Sequence, residues 1–387
     1  MFVLNSRVSL LNLGGKLNPP THQSHCISLW SIDALDELDR KDGSGFLRDL
    51  LDSINKHRLQ GLKFFATSRP DPDLVTHLES FKDKRLYRLG QVPIEEAQAD
   101  ITTYLNANLG HSVGRPEMEK IAAQAAGLFI YAATVVKYVE GYASAEHEER
   151  LSTLFVENPE DTLLDGLYHQ VLLDAQHRFK SRHYLDILHT FLCSAERTST
   201  SLVAKLLLPP SKTNALSHTE IADGVLKSLH AVLYTENDKV LSYHKSFTDF
   251  MFDQNRAKKF WCDQAKHHRL LTNSCFRVMD GLKFNIANIE SSFLFDCDNS
   301  ALPNAIEQNI APVLSYSCRN WDYHLSATAP IESDALCDTL SKFLQLRVLF
   351  WIEAMNLLGS RGQCDRMLKR ARKCVPNVSE MLTEYFL

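Results

Sequence analysis

The spacing of apolar and polar residues changes along the chain and divides it into two parts. In the first part, residues 27–32 and 62–67 are short runs rich in apolar side chains, which are typical of strands. Strands that alternate with a helix predict a small parallel sheet, and therefore part of an α/β domain. Between the two runs, apolar residues recur at the spacing of one helix face, namely Leu47, Leu50, Leu51 and Ile54.

Two further elements belong to this first part. Residues 85–89 are a candidate third strand, and Pro93 is well placed to begin a helix with an apolar stripe. That stripe comprises Ile94, Ala97, Ile101 and Leu105. After His111 the pattern predicts helix upon helix. The first of these present a wide apolar face made of Met118, Ile121, Ala122, Ala125, Phe129, Ala132, Val136 and Val139.

A pair of helices followed by a hairpin is predicted in the middle of the chain. The helices cover residues 202–208 and 221–229. Two apolar runs, 231–235 and 239–244, flank Glu236-Asn237-Asp238, which we interpret as a three-residue turn. Helices followed by one hairpin are typical of a winged-helix module.

The fold class that follows is an α/β remnant succeeded by a mainly α region containing a winged helix. We expect a poorly ordered N-terminal segment over residues 1–25 and a partial α/β domain over 26–110. A helical domain over 111–160, a winged-helix domain over 161–255 and a C-terminal helical domain over 256–387 would follow. Three tryptophans are expected as core anchors: Trp261, Trp321 and Trp351.

Composition narrows the class of function. The chain has 387 residues, of which 44% are hydrophobic and 23% charged, as in a globular protein. Its 42 basic and 47 acidic residues give a net charge of −5, which argues against a surface built to bind nucleic acid or anionic membrane. No apolar run reaches the ~18 residues of a membrane span. The nine cysteines are dispersed and no signal peptide is visible, so we expect reduced thiols in a cytoplasmic protein.

The first predicted strand ends in an acidic string, Asp33-Ala34-Leu35-Asp36-Glu37. An Asp that leaves a buried parallel strand can hold Mg²⁺, and a carboxylate a few residues later can orient an attacking water, as in a Walker B site. Asp33 is the candidate for binding cofactor and metal, and Asp36 and Glu37 are the catalytic candidates. The alternative is that Asp36 and Glu37 cap the next helix, because acidic residues are favoured at helix N-termini.

Arg69 follows the second predicted strand, just before Pro70. Ligands in open α/β sheets bind at the carboxyl edge of the strands, so we expect Arg69 at the edge where Asp33 emerges. A guanidinium at that edge can contact the terminal phosphate of a nucleotide and report its presence. The alternative is an exposed loop arginine without such a role.

Together with the strings at Asp33 and Arg69, four later segments resemble the NACHT nucleotide-binding domain of the STAND class of signalling NTPases and the helical regions that follow it. The likeness is to the fungal NACHT proteins of heterokaryon-incompatibility-type and WD-repeat-fused architectures. It spans roughly residues 27 to 360. The four segments are residues 127–133, 243–250, 316–325 and 349–354.

This resemblance implies a switch that binds ATP or GTP with Mg²⁺ between the sheet and the winged helix. Nucleotide would hold a closed state, and its exchange would release an assembling one. His244 is the candidate winged-helix residue that faces the nucleotide. The alternative for His244 is a core or capping histidine beside Phe247 and Phe250.

The family pattern also requires a P-loop, Gly-x-x-x-x-Gly-Lys-Ser/Thr, upstream of the Walker B strand. At Gly15-Lys16 the first glycine of that pattern would fall on Leu10, and Leu17 stands where a hydroxyl is needed. Asp33 follows Lys16 by only 17 positions, too few for a P-loop helix and an intervening strand. Losing four charge-assisted hydrogen bonds of ~1.5–3 kcal/mol each weakens a micromolar nucleotide site beyond millimolar.

We therefore expect an incomplete P-loop NTPase core in a fragment or degenerate member of this family. It would not hydrolyse nucleotide and would act as a regulatory or interaction scaffold with protein partners, including copies of itself. The alternative is a nucleotide-dependent signalling switch whose P-loop lies upstream of the first residue. A third interpretation, a DNA-binding winged helix, rests on a sparse basic face, because acidic residues are interspersed with Lys205, Lys212 and Lys227.

One group of residues is a further candidate for a metal site. Cys262, His267, His268 and Cys275 lie close in sequence, but their spacing fits neither a C-x₂-C knuckle nor a helical i, i+4 pair. Adjacent histidines on a helix point about 100° apart. We therefore expect no metal at these four residues.

Overall fold

The structure is a computed structural model, and its described residues are mainly helical with a small parallel sheet. The chain divides into two compact units, Met1–Tyr104 with Ala126–Ile130 and Leu105–Ala125 with Tyr131–Leu387. The residues that the structure describes are 28–35, 42–57, 62–69, 93–154, 162–207, 218–290, 296–328 and 334–374.

The first unit contains a β-α-β segment. Strand β1 (Ser28–Ile32) pairs in parallel with strand β2 (Leu62–Ala66), and Ile32 lies opposite Ala66 in the register. Helix α1 (Asp42–His57) lies between the two strands in sequence, as the crossover of a parallel pair requires. The predicted parallel sheet is thus confirmed for two strands.

Several predictions for the start of the chain fall outside the described residues. These are the N-terminal segment over 1–25, the third strand over 85–89, and the side chains of Asp36 and Glu37. They stay predictions.

A helix begins directly after Pro93, as predicted. Helix α2 (Ile94–Leu109) buries Ile101 and Leu105 completely, but Ile94 is 54% exposed. The predicted apolar stripe is therefore wrong at its first position, where Ile94 is the first residue of the helix.

The wide apolar face predicted after His111 is divided between two helices, α3 (Arg115–Ala125) and α4 (Phe129–Glu140). Ala126 and Gly127 between them have φ values of 45° and 79°, a left-handed conformation that ends α3. A Cβ at Gly127 would also lie 3.1 Å from an Ile94 side-chain carbon, so glycine suits both the backbone and the packing there. Phe129 is only half-buried, whereas the other predicted members of the face are buried.

The rest of the described chain is helical apart from one hairpin. No helix of the described residues is long and apolar enough to cross a membrane. Short 3₁₀ helices lie at Ser144–Glu146, Lys258–Phe260, Asp296–Asp298 and Arg361–Gln363. The α-helices after α4 are α5 (His147–Leu154), α6 (Leu163–Arg178), α7 (Tyr184–Cys193), α8 (Thr200–Leu207), α9 (His218–Ser228), α10 (Lys245–Phe252), α11 (Gln254–Ala257), α12 (Gln264–Met279), α13 (Leu302–Asn309), α14 (Pro312–Ser326), α15 (Asp334–Leu346), α16 (Val348–Leu357) and α17 (Cys364–Cys374).

The hairpin follows α9 and consists of β3 (Leu233–Glu236) and β4 (Lys239–Ser242) in antiparallel pairing. Its turn has two residues, so the predicted three-residue turn is wrong. Asn237 and Asp238 both have positive φ, 51° and 61°, as a type I′ turn requires, and Asn and Asp tolerate this conformation. This turn brings Glu236 into the ladder opposite Lys239.

The core of the C-terminal helices contains two packed tryptophans. Trp321 on α14 and Trp351 on α16 are fully buried with ring centroids 5.8 Å apart, and Trp351 Nε1 donates to the carbonyl of Cys318 over 2.9 Å. Both act as the predicted anchors. Trp261 is only half-buried, and its Nε1 donates to the Phe252 carbonyl over 3.3 Å. The prediction of a core anchor is therefore wrong for Trp261, which lies at the margin of the core.

Candidate functional site

The carboxyl edge of the β1–β2 pair is held by Thr67, the first residue after β2. Its backbone N–H donates to the Ile32 carbonyl over 2.9 Å, and its carbonyl accepts from the Leu35 N–H over 2.8 Å. Its hydroxyl accepts from the Ala34 N–H over 2.9 Å and donates to the carboxylate of Asp33. The parallel register thus continues beyond the strands and fixes Asp33 to the neighbouring strand end.

Thr67 was missed as a site residue by sequence reasoning. The available signal was its position, because parallel pairing with Ile32 opposite Ala66 makes Asp33 and Thr67 the next residues on their strands. A hydroxyl beside a carboxylate at a sheet edge is a natural hydrogen-bond donor to it. One oxygen of the candidate metal ligand is therefore already engaged within the chain.

Arg69 lies two residues beyond Thr67 and is exposed. Ser68 Oγ donates to the Arg69 carbonyl over 2.9 Å, which shapes the turn away from β2. Because β1 and β2 are parallel neighbours, Asp33 and Arg69 both follow the carboxyl ends of adjacent strands. Whether this edge binds a nucleotide phosphate stays a prediction.

His244 caps a helix in the second unit. Its Nδ1 accepts from the Ser246 N–H over 3.1 Å at the start of α10 and lies 2.6 Å from Ser246 Oγ. Ser246 Oγ in turn lies 2.7 Å from the Tyr168 hydroxyl. Phe247 and Phe250 are buried directly after this cap. The capping role considered for His244 is present, and its proposed contact with nucleotide stays a prediction.

The Cys/His set considered for a metal is dispersed among other contacts. His267 Nε2 lies 2.9 Å from Thr190 Oγ1, and Cys262 Sγ lies 3.6 Å from Cys193 Sγ. Within the described parts of the chain, no three His, Cys, Asp or Glu side chains converge as metal ligands would.

Four buried histidines on three helices form a polar cluster in the second unit, and sequence reasoning did not identify it. His189 Nε2 lies 3.0 Å from the Phe260 carbonyl, and His268 Nδ1 lies 2.9 Å from His324 Nδ1. Burial lowers the pKa of His189, His267 and His324, for His267 to about 3. These three histidines are therefore neutral at pH 7, and they serve as hydrogen-bonding parts of the core.

The helices considered for DNA binding have a mixed surface. Lys205 on α8 and Lys227 on α9 are exposed, but Glu220 on α9 is exposed as well. Lys212 lies outside the described residues. Phosphate neutralisation along a duplex needs a denser basic face than this.

Comparison with known proteins adds no assignment. No protein-family model matches the chain, and no curated protein or solved structure is significantly similar to it.

Proposed function

We propose that this chain is a degenerate, non-hydrolysing member of the NACHT class that acts in the cytoplasm as a regulatory or protein-interaction scaffold. The observation that supports it best is the hydrogen bond from the Thr67 hydroxyl to Asp33. It gives the candidate Mg²⁺ ligand a partner within the chain. The sequence supplies no Gly-Lys-Ser/Thr string to cradle phosphates beside it.

The number of hydrogen-bond donors at this edge limits its affinity for a nucleotide. A P-loop holds a nucleoside triphosphate with several backbone N–H groups and a lysine, and each charge-assisted hydrogen bond contributes ~1.5–3 kcal/mol. Asp33 and Arg69 offer one carboxylate and one guanidinium at the described edge. Two such groups account for at most about 6 kcal/mol, which corresponds to a Kd of about 40 µM at best, and the ordering costs of binding weaken it towards the millimolar range.

The helical region favours a scaffold role. We interpret α8, α9 and the β3–β4 hairpin as a winged helix, with the His244 cap where the hairpin passes into α10. Arg256 makes a bidentate pair with buried Asp165 at 2.7 and 3.1 Å, which ties α11 to α6. Helices fixed in this way present a rigid surface, which lowers the ordering cost of binding a protein partner or a second copy.

Calorimetric titration of the purified chain with Mg²⁺–ATP and Mg²⁺–GTP tests the proposal. We expect no saturable heat below about 1 mM ligand. Asp33→Asn and Arg69→Gln should give the same flat titration as the unchanged chain. Asp49→Asn, an exposed carboxylate on α1, is the matched control.

Micromolar binding that Asp33→Asn or Arg69→Gln removes, and Asp49→Asn does not, would overturn the proposal in favour of the nucleotide-dependent switch. Light scattering over a range of protein concentrations addresses the scaffold role, since self-association predicts a mass that rises with concentration. A low-salt mobility-shift assay with duplex DNA separates the third interpretation, because binding through phosphates is lost as salt increases.

A further inference from the structure

The junction of α15 and α16 in the second unit exposes large apolar side chains. Phe284, Leu349 and Leu346 are 79%, 72% and 63% exposed, the highest values for large apolar residues in the described part of the chain. Leu346 is the last residue of α15 and Leu349 is the second residue of α16, so the two leucines lie on either side of one helix junction. We call these three residues the corner surface.

Phe284 is brought to this junction by a hydrogen bond between the segment after α12 and α16. The Asn285 N–H donates to Glu353 Oε2 over 3.2 Å. Glu353 is one turn after Leu349, and residues four apart on a helix share a face. Single exposed apolar residues are ordinary on a protein surface, whereas several at one place mark an interaction site.

The corner surface is bordered by positive charge. Lys283 precedes Phe284, Lys342 lies one turn before Leu346 on α15, and both lysines are exposed. Arg347 lies at the helix junction itself. Within the described ranges, none of these three cations is within ion-pair distance of a carboxylate. The surface therefore fits a segment that combines apolar side chains with carboxylates.

The sequence after α17, residues 375–387, has this complementary composition. It contains two glutamates and no basic residue, and the glutamates are four positions apart at Glu380 and Glu384. Its apolar residues recur at the spacing of one helix face, namely Val378, Met381, Leu382 and Tyr385. The segment therefore offers an apolar stripe together with negative charge.

The segment is long enough to reach the corner surface. Helices α16 and α17 both contact α14, since Trp351 Nε1 donates to the Cys318 carbonyl over 2.9 Å and Arg370 Nη1 donates to Asp322 over 3.1 Å. Packed helices lie ~10 Å apart, so a path from α17 across α14 to α16 covers roughly 30 Å. The thirteen residues after Cys374 span up to ~43 Å when extended.

We propose that residues 378–387 bind the corner surface of their own chain, with their apolar side chains on Phe284, Leu346 and Leu349 and their glutamates towards the lysines. A second copy or an acidic helix of another protein has access to the same chemistry, but a segment joined to α17 is held at a high effective concentration. A protein partner that uses this surface must displace it. The proposal does not depend on the β1–β2 edge or on the proposed NACHT function.

Hydrogen exchange of the full chain tests the docking. We expect the amides of residues 380–387 to be protected, and Leu349→Asp should lower this protection about tenfold or more. Leu128→Asp, at a leucine of the first unit that is 52% exposed, is the matched control and should leave the protection unchanged. Equal protection in the unchanged chain and in Leu349→Asp would overturn the proposal.

An exchange of charges tests the role of the glutamates. Lys283→Glu with Lys342→Glu should lower the same protection about threefold or more, and so should Glu380→Lys with Glu384→Lys. The chain with all four changes should recover most of the protection, because opposite charges face each other again. A fourfold variant no better protected than either pair would contradict the proposal.

Competition with a peptide identifies the occupant. A synthetic peptide of residues 375–387 should bind saturably to a chain that carries Met381→Ser and Leu382→Ser, whose own segment no longer docks. It should bind the unchanged chain at least about tenfold more weakly, because the surface there is already occupied.

Equal affinity of the peptide for the two chains would overturn docking within one chain. A mass in light scattering that falls on Leu349→Asp would overturn it as well, in favour of a second copy as the occupant. None of these results bears on the nucleotide titration with Asp33→Asn, so the two proposals fail separately.

Discussion

His268 and His324 face each other through their Nδ1 atoms, 2.9 Å apart, in the buried interface of α12 and α14. One of the two nitrogens must carry hydrogen and the other must accept it, so the contact requires an unprotonated Nδ1 on one ring. His324 Nε2 lies 2.8 Å from the Tyr316 hydroxyl, and burial lowers the pKa of His324 well below its usual value. Acid therefore disrupts this hydrogen bond, because protonation of both rings leaves no Nδ1 that can accept.

The first prediction is a loss of stability in mild acid. Burial, and then repulsion from His189 and His268 in their protonated forms, lower the pKa of His267 to about 3, whereas in the unfolded chain this pKa returns to ~6.5. The unfolded state therefore binds more protons as pH falls, and stability present above pH ~6.5 is lost on the way towards pH 3. At pH 5 the free energy of unfolding is lower by about 2 kcal/mol than at neutral pH because of this one side chain.

Urea unfolding at pH 7.5 and pH 5.0, followed by circular dichroism, measures this loss. His267→Gln keeps a donor for Thr190 but does not titrate. Its free energy of unfolding should therefore fall by about 2 kcal/mol less between the two pH values than that of the unchanged chain. His177→Gln, which makes the same change at an exposed histidine of α6, is the control for the substitution itself. An identical pH dependence in His267→Gln and the unchanged chain would refute the assignment.

The second prediction concerns close packing at Gly224 in α9. A Cβ at this position would lie 2.3 Å from the ring of Phe179, so Gly224→Ala should destabilise the protein by about 1–3 kcal/mol. Gly166 in α6 offers the matched control, because nothing lies within 4 Å of a Cβ there. Gly166→Ala should stabilise by about 0.5–1 kcal/mol through helix propensity. Equal melting-temperature shifts in both variants would show that Phe179 does not pack on Gly224.

The third prediction concerns the bidentate pair of Arg256 and Asp165. The Asp165 side chain is 6% exposed, so removing its partner leaves a buried carboxylate. Arg256→Ala should lower the free energy of unfolding by about 2–4 kcal/mol. This is less than the largest losses for buried ion pairs, because the Arg256 side chain is 35% exposed. The exposed pair of Arg115 and Glu119 is the comparison, and Arg115→Ala should cost less than about 0.5 kcal/mol. Chemical denaturation of the two variants distinguishes these outcomes.

Local pattern was enough to predict most elements of this fold. The strands ending at Ile32 and Ala66 and the helix after Pro93 follow from short-range periodicity and turn chemistry. The length of the hairpin turn was predicted wrongly because it depends on backbone conformation. The two-residue turn at Asn237 and Asp238 requires positive φ values, which leave little trace in hydrophobic spacing.

The polar contacts were less predictable, because they join distant parts of the chain. His267 meets Thr190 across 77 positions, and a histidine on a helix gives no sign in the sequence of whether it will be buried. Thr67 meets Asp33 across 34 positions, and only the strand register determines that they are adjacent. The sequence thus identified the Asp33 edge as a candidate site but not the hydroxyl that holds it.

The fourth prediction tests that hydroxyl. Thr67→Val keeps the shape of the side chain but removes the acceptor of the Ala34 N–H and the donor to Asp33, so it should destabilise the protein by about 1–3 kcal/mol. Thr67→Ser restores both hydrogen bonds and should recover most of the loss. Hydrogen exchange at the Ala34 amide measures the effect locally, because its protection should fall in Thr67→Val and return in Thr67→Ser. Unchanged protection in Thr67→Val would mean that this hydroxyl does not hold the end of β1.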